Sequence, residues 1–288
     1  MRDRPRRSAL YMPGWNARAL EKARGLDADV LIFDLEDAVA PDAKAQARDQ
    51  IAAALAVGGF GGRELVVRVN ALATPWGMDD IARFATSPID AILLPKVDGV
   101  ETVRQAAYAM DAAGAPRSRA LWCMIETPLG ALKVADIAGA HSRLACLVMG
   151  TADLAKDLRA RPGPDRAALA VALQGCVLAA RAHGLAILDG VYLDLNDEAG
   201  FAAQCRQGRD WGFDGKTLIH PKTLAAANAA FAPAPDDIAH AQRLIAAHAQ
   251  AMAEKKGVVV VDGRLVESLH VEEARRVIRL AEAIAARR

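Results

Sequence analysis

The sequence predicts an α/β fold, an eight-stranded (β/α)8 barrel that carries a C-terminal helical tail. Three observations predict it: eight short apolar runs recur at roughly even spacing, most of them close on a polar or charged residue, and the segments between them have helical period and much alanine. Strands buried on both faces read as continuous apolar runs, because helices cover both faces of a parallel sheet. Alanine combines high helix propensity with little bulk, which suits helices packed closely on a sheet. Right-handed crossovers make such strands parallel, and eight units close most economically into a barrel. The rival is an open doubly wound sheet, but no glycine-rich dinucleotide fingerprint follows any run.

The runs are Ala9 to Met12, Val30 to Phe33, Leu65 to Val69, Ala91 to Leu94, Leu121 to Ile125, Leu144 to Met149, Leu185 to Leu188 and Thr217 to Ile219. In order they deliver Asp34, Glu36 and Asp37, then Arg68 and Asn70, Lys96, Glu126, Asp153, Asp189 and His220. Catalytic groups of such barrels sit at the carboxyl ends of strands, so these residues stand where chemistry happens. Helical period covers Arg18 to Ala23, Lys44 to Ala56, Met78 to Phe84, Val100 to Ala113, Leu132 to Ala138 and Arg166 to Ala182. The texture changes at Phe231 to Pro235, where Ala-Pro-Ala-Pro reads as a stiff linker. A helix is expected from about Asp236 to Lys255, a ribbon from Val258 to Val266 turning at Asp262-Gly263, and a last helix from Val271 to Ala286. Residues 1–231 are therefore expected to form the catalytic barrel. Residues 232–288 form either a packing arm or a lid over an active site, its own or a neighbour's.

A chain of 288 residues with 53% hydrophobic content can bury one large core, and a barrel of this kind takes about 250 residues. The formal net charge of +1, from 36 basic and 35 acidic side chains, provides no field for nucleic acid or an anionic membrane. No apolar stretch is long enough to span a bilayer, and the Arg-rich start (Arg2, Arg4, Arg6, Arg7) lacks the apolar segment of a secretory signal. Asp3 and the immediate onset of the first strand also argue against an organellar presequence. Cys123, Cys146, Cys176 and Cys205 have no paired metal spacing and read as buried thiols of a cytoplasmic protein.

Glu126 closes the fifth run and Asp153 follows the sixth. Carboxylates capping neighbouring strands can converge on one ion, and two carboxylates plus water and substrate is how Mg²⁺ is usually held. The plain alternative for each alone is a helix N-cap or a surface ion pair. Arg68 lies inside an apolar run, where an unpaired guanidinium is costly, so it must meet an anion. That anion is a substrate carboxylate, a developing oxyanion or a buried structural carboxylate. Glu36 and Asp37 at the rim can orient metal-bound water or pair with Arg68. Lys96 and His220 are weaker ligand candidates, and Arg18 and Lys22, on a predicted helix after the first strand, can pair with phosphates or simply form a solvated basic face. No Gly-x-Ser-x-Gly elbow is present, which sets acyl-serine chemistry aside.

The string Leu31-Ile32-Phe33-Asp34-Leu35-Glu36-Asp37-Ala38-Val39, with Arg68-Val69-Asn70, Leu94-Pro95-Lys96, Ile125-Glu126-Thr127 and Gly150-Thr151-Ala152-Asp153-Leu154, resembles the citrate lyase β-subunit-like, or malyl-CoA lyase-like, family. The resemblance runs from Ser8 to near Ala283. It implies a TIM-type barrel, Mg²⁺ on Glu126 and Asp153 with Mn²⁺ as a substitute, and Arg68 at the substrate. It further implies a lyase that cleaves malyl-CoA, or a methyl-substituted relative, to a shorter acyl-CoA and a 2-oxo acid such as glyoxylate. Members of the family are commonly trimers or dimers of trimers in which the tail of one subunit closes over the next subunit's site. The tail departs from the lyase pattern: where those lyases carry an aspartate followed by Met-Pro, this chain reads Leu265-Val266-Glu267-Ser268-Leu269-His270. Glu267 keeps a carboxylate on a longer arm, in a position to favour attack by water. The tail and the strings Tyr11-Met12-Pro13-Gly14 and Asp153-Leu154-Ala155-Lys156 resemble the shorter branch of the family, which includes a malyl-CoA thioesterase. Lyase action is the expected activity and hydrolysis of the thioester is the alternative. A citrate lyase subunit working on a carrier-protein thioester and an aldolase for free 2-oxo acids rank below both.

Overall fold

The computed structural model describes residues 4–254 and 259–287. Eight parallel strands close into a barrel in chain order. They are β1 (Ser8–Pro13), β2 (Val30–Asp34), β3 (Glu64–Arg68), β4 (Ala91–Leu94), β5 (Ala120–Ile125), β6 (Leu144–Met149), β7 (Ala186–Asp189) and β8 (Gly215–Leu218). The helices between them are α1 (Ala17–Lys22), α2 (Lys44–Val57), α3 (Gly77–Phe84), α4 (Val100–Ala112), α5 (Pro128–Leu132), α6 (Val134–Ala138), α7 (Thr151–Asp157), α8 (Ala170–Ala182), α9 (Glu198–Asp210) and α10 (Leu224–Ala230).

Alternation along the strands sorts their side chains into two cores. Ile32, Val66, Leu93, Trp122, Met124 and Val148 fill the barrel, while Phe33, Val67, Ile92, Ile125 and Leu147 pack under the helices. The amino-terminal mouth is closed by ion pairs rather than by chemistry. Arg6 donates to both oxygens of Glu64, at 2.6 and 2.8 Å, and its guanidinium lies 5.2 Å from the Trp122 ring centre. Arg7 makes the same two-pronged contact with Asp29. All four groups are buried, and burial is tolerated because each charge meets its opposite in planar geometry.

At the eighth strand and at the helix after the sixth, a buried polar residue explains why the limits differ from those expected. The eighth strand begins at Gly215, earlier than expected, because Lys216 is hidden in it: Nζ donates to Asp189 Oδ2 at 2.9 Å and to Gln204 Oε1 at 2.6 Å. The helix expected from Arg166 starts instead at Ala170 after a short 3-10 turn, because Arg166 takes the left-handed conformation and donates to Asp189 at 2.7 Å. Asp189, singled out at the end of its run, therefore serves this pair beneath the helices.

The chain divides into two compact units. Arg6–Phe231 is the barrel, and the tail from Ala232 onward makes up nearly all of the second. In the tail, α11 (Pro235–Ala253) and α12 (Ser268–Ala285) pack on one another, and β9 (Val259–Val261) pairs antiparallel with β10 (Arg264–Val266). Asp262 and Gly263 between those strands both have positive φ, 49° and 76°, as a two-residue hairpin turn requires. The expected helix end at Lys255 and ribbon start at Val258 lie outside the described residues. No helix among the described residues is long and apolar enough to cross a membrane.

Candidate active site

The polar residues that end β2, β3, β4 and β5 meet at the carboxyl mouth of the barrel. Asp34 and Arg68 are directly opposed on adjacent strands. Both face inward, because each lies two residues beyond an interior residue, Ile32 or Val66. Arg68 Nε and Nη2 each donate to Asp34 at 2.6 Å. The guanidinium also lies 4.8 Å from the Tyr11 ring centre. Of the anions expected for Arg68, the protein carboxylate is thus present, and it is Asp34. One nitrogen, Nη1, remains directed into the mouth, 2.8 Å from Glu36 Oε2 and 3.4 Å from Asp37 Oδ2. Burial alone would lower the Arg68 pKa, but the charges of Asp34 and Glu36 outweigh it and hold the group cationic.

Asp34 also shapes the loop that follows it, accepting the Glu36 N–H at 2.8 Å and the Ala38 N–H at 3.2 Å. From below, Lys44 Nζ donates to the carbonyls of Leu35 and Glu36, both at 2.7 Å, and stands 5.5 Å from the Trp76 ring centre. These contacts present Glu36 inward and leave Asp37 more than half exposed. Burial raises the Glu36 pKa, against the opposing pull of Arg68 and Lys96. Lys96 follows β4, and its Nζ donates to Glu36 Oε1 at 2.5 Å.

Glu126 follows β5 and is fully buried. Its Oε1 accepts the Lys96 N–H at 2.6 Å, and its Oε2 has no hydrogen-bond partner. Burial, followed by the charge of Glu36, raises its pKa to about 7. The Gly150 N–H ties the end of β6 to Ile125 O at 3.0 Å, and a Cβ on Gly150 would stand 2.5 Å from Glu126 Oε2. Asp153 lies three residues further on, half-buried in the first turn of α7. An unpaired, buried, hard oxygen beside a helix turn bearing a second carboxylate fits a divalent cation. Among the described residues no cluster of three His, Cys, Asp or Glu side chains is arranged for a metal.

The structure thus joins Arg68, Glu36, Asp37, Lys96 and Glu126 in one network and sets Asp153 at the next strand end. Arg18 and Lys22 lie exposed on α1, where no contact links them to this network among the described residues. Glu267 belongs to the tail unit, exposed at the start of α12, where its N–H donates to His270 Nδ1 at 3.0 Å. His220 is exposed, and its Nδ1 accepts the Lys222 N–H. Two contributors escaped the sequence reading. Tyr11 carried a signal, since it shares the interior face with Ala9, whereas Lys44 carried none.

The model of the HpcH/HpaI aldolase/citrate lyase family matches residues 7–221. The chain is 52% identical, over 98% of its length and 96% of the relative's, to a (3S)-malyl-CoA thioesterase of Cereibacter sphaeroides. It is 35% identical, over 98% and 96%, to an L-malyl-CoA/β-methylmalyl-CoA lyase of the same species. Its fold is similar to that of protein CitE from Mycobacterium tuberculosis in complex with magnesium, acetoacetate and coenzyme A, with TM-score 0.79, 28% identity, and coverage of 98% of this chain and 100% of that one. These similarities correct the expected lyase activity, since 52% identity points to a thioesterase and only 35% to a malyl-CoA lyase. The rim motifs mark a family that holds relatives of both activities, so they alone do not separate hydrolysis from carbon–carbon cleavage.

Proposed function

Because the chain belongs to the HpcH/HpaI aldolase/citrate lyase family, we propose from its nearly full-length similarity to a (3S)-malyl-CoA thioesterase that it hydrolyses (3S)-malyl-CoA to malate and CoA. That similarity carries the reading, and the geometry of the rim supports it. Glu126 and Asp153 would hold Mg²⁺, or Mn²⁺ in its place. When bound, the cation polarises substrate oxygens and stabilises negative charge that develops on them.

Water adds to the thioester carbonyl carbon, the carbon–sulfur bond breaks, and the departing thiolate takes up the proton that the water has given up, ending as the thiol of CoA. The proton lost by the water needs an acceptor. Asp37 is suited to it: it is the rim carboxylate exposed to solvent, and Arg68 at 3.4 Å and Lys96 at 3.9 Å keep it beside the cationic side of the mouth. Arg68 Nη1 serves the developing oxyanion, a contribution of about 3 to 4 kcal/mol for a well-placed donor. Glu36 bridges the Arg68 and Lys96 head groups, one on each carboxylate oxygen. Arg18 and Lys22 would meet the phosphates of CoA. The tail would act as a lid in a homotrimer or dimer of trimers and bring Glu267 toward a neighbouring mouth. The exposed apolar side chains of Val260, Leu265 and Leu269 suit such a covering role.

The deciding experiment is a quenched reaction of purified protein with Mg²⁺ and (3S)-malyl-CoA, with CoA species separated by chromatography and glyoxylate assayed in the same tube. Free CoA and malate without glyoxylate are expected. Acetyl-CoA rising in step with glyoxylate would sink the proposal.

A further inference from the structure

Lys96 stands in the left-handed region, at φ +50°, where a residue with a Cβ persists only if its surroundings over-determine it. Its neighbours supply the reason. The Lys96 N–H donates to Glu126 Oε1 at 2.6 Å, and the next amide, of Val97, donates to Met124 O at 3.3 Å. In an extended strand successive amides point to opposite sides. Here two in succession face β5, and the positive φ turns the first of them onto the carboxylate. Oε1 is thereby occupied, while Oε2 stays buried and without a partner beside Gly150. The Lys96 side chain goes elsewhere, to Glu36 Oε1. Amide and ammonium therefore serve different carboxylates.

We propose that Lys96 is a positioning residue for Glu126: its left-handed backbone aims the amide at Oε1 and so presets Oε2 as the oxygen offered to a divalent cation. The inference rests on reading Glu126 as a metal ligand. It makes metal affinity depend on tolerance of positive φ at position 96 and not on the charge of the side chain.

The test is Mn²⁺ binding to the full chain, read from the loss of the free-ion EPR signal, with a melting curve for each protein. Wild type is compared with Lys96→Gly, Lys96→Met, Lys96→Val and Glu126→Ala. Glycine enters the left-handed region without strain and methionine resembles lysine there, whereas valine, branched at Cβ, resists it. Lys96→Gly and Lys96→Met should bind Mn²⁺ within about threefold of wild type although both lack the ammonium, and Lys96→Val at least ~10-fold more weakly, the low end for losing a group that orients a metal ligand. Equal affinities in Lys96→Gly and Lys96→Val would overturn the inference. So would an equal loss in all three, which would assign the effect to the ammonium. If Lys96→Val does not fold, Lys96→Thr, branched but polar, takes its place, and its parity with Lys96→Gly would again overturn the inference. Mn²⁺ binding that disappears in Glu126→Ala yet ignores residue 96 defeats the inference alone. Binding that survives Glu126→Ala, or is absent from wild type, defeats the metal reading as well.

Discussion

At Glu126 burial and ionisation oppose one another. The side chain is fully buried, and its pKa rises from an ordinary 4.5 to about 7, chiefly through loss of hydration. The folded protein therefore keeps a proton that the unfolded chain has already released, and stability without metal should fall as pH rises from 4.5 to about 7. The slope approaches ~1.4 kcal/mol per pH unit, on the order of 3 kcal/mol in all. Urea denaturation of metal-free wild type and Glu126→Gln across that range should show the slope in the first and its loss in the second; parallel curves would refute it. The same proton competes with a cation. Mn²⁺ affinity should thus rise steeply with pH below about 7 and level off above it, and a flat profile by titration calorimetry would count against Glu126 as a ligand. Arg68 allows a second separation. Arg68→Met would leave the Asp34 charge buried without its counter-ion, at a cost of roughly 3–5 kcal/mol. Arg68→Met combined with Asp34→Leu should regain much of that stability without regaining thioester hydrolysis, because Nη1 is still missing. If hydrolysis returned with stability, Arg68 would be a structural residue only.

The connections between elements decide how precisely these side chains are held. Gly150, between β6 and α7, has no Cβ, and adding one would place it 2.2 Å from Glu126 Cβ and 2.5 Å from Oε2. Gly150→Ala should therefore displace Glu126 and weaken Mn²⁺ binding at least ~10-fold, measured by EPR, while circular dichroism still shows the barrel. Under the β2–α2 loop, Lys44→Met removes an ammonium shared by two buried carbonyls and should cost about 1–3 kcal/mol in urea denaturation. Elements of this kind mark the limit of what sequence shows. The strands were legible because an α/β barrel buries both sheet faces, and the rim residues were legible because each interrupts or follows an apolar run. Asp34 was visible as such an interruption, but its pairing with Arg68 depends on strand register, which no local pattern encodes. Lys216 is the converse case: a charge buried within β8 cut the apolar run short and shifted the expected strand. Lys44 sits in an ordinary polar helical start, and only the folded loop reveals what its ammonium holds. The Lys96 backbone was equally hidden, since a lysine followed by a valine has no mark of positive φ.

Across the whole molecule, the barrel unit has a buried core of its own. Every residue of both buried clusters falls between Ala9 and Phe231. A chain ended at Phe231 should then unfold cooperatively and bind Mn²⁺ as the full chain does, because Glu126, Asp153, Lys96 and Gly150 all belong to the barrel unit. Its hydrolysis of (3S)-malyl-CoA should nevertheless fall by at least ~100-fold, the scale on which loss of a catalytic acid or base is felt. Glu267→Gln in the full chain tells which property of the tail is responsible. A loss in kcat equal to that of truncation, with KM unchanged, would assign the effect to the carboxylate. Near-normal kcat in Glu267→Gln beside a collapsed truncation would assign it to coverage of the mouth, and Asp37 would then be the carboxylate left to activate water. A truncated barrel that hydrolyses its substrate at the full rate would remove the tail from catalysis altogether, and with it the proposal that this second unit is a lid.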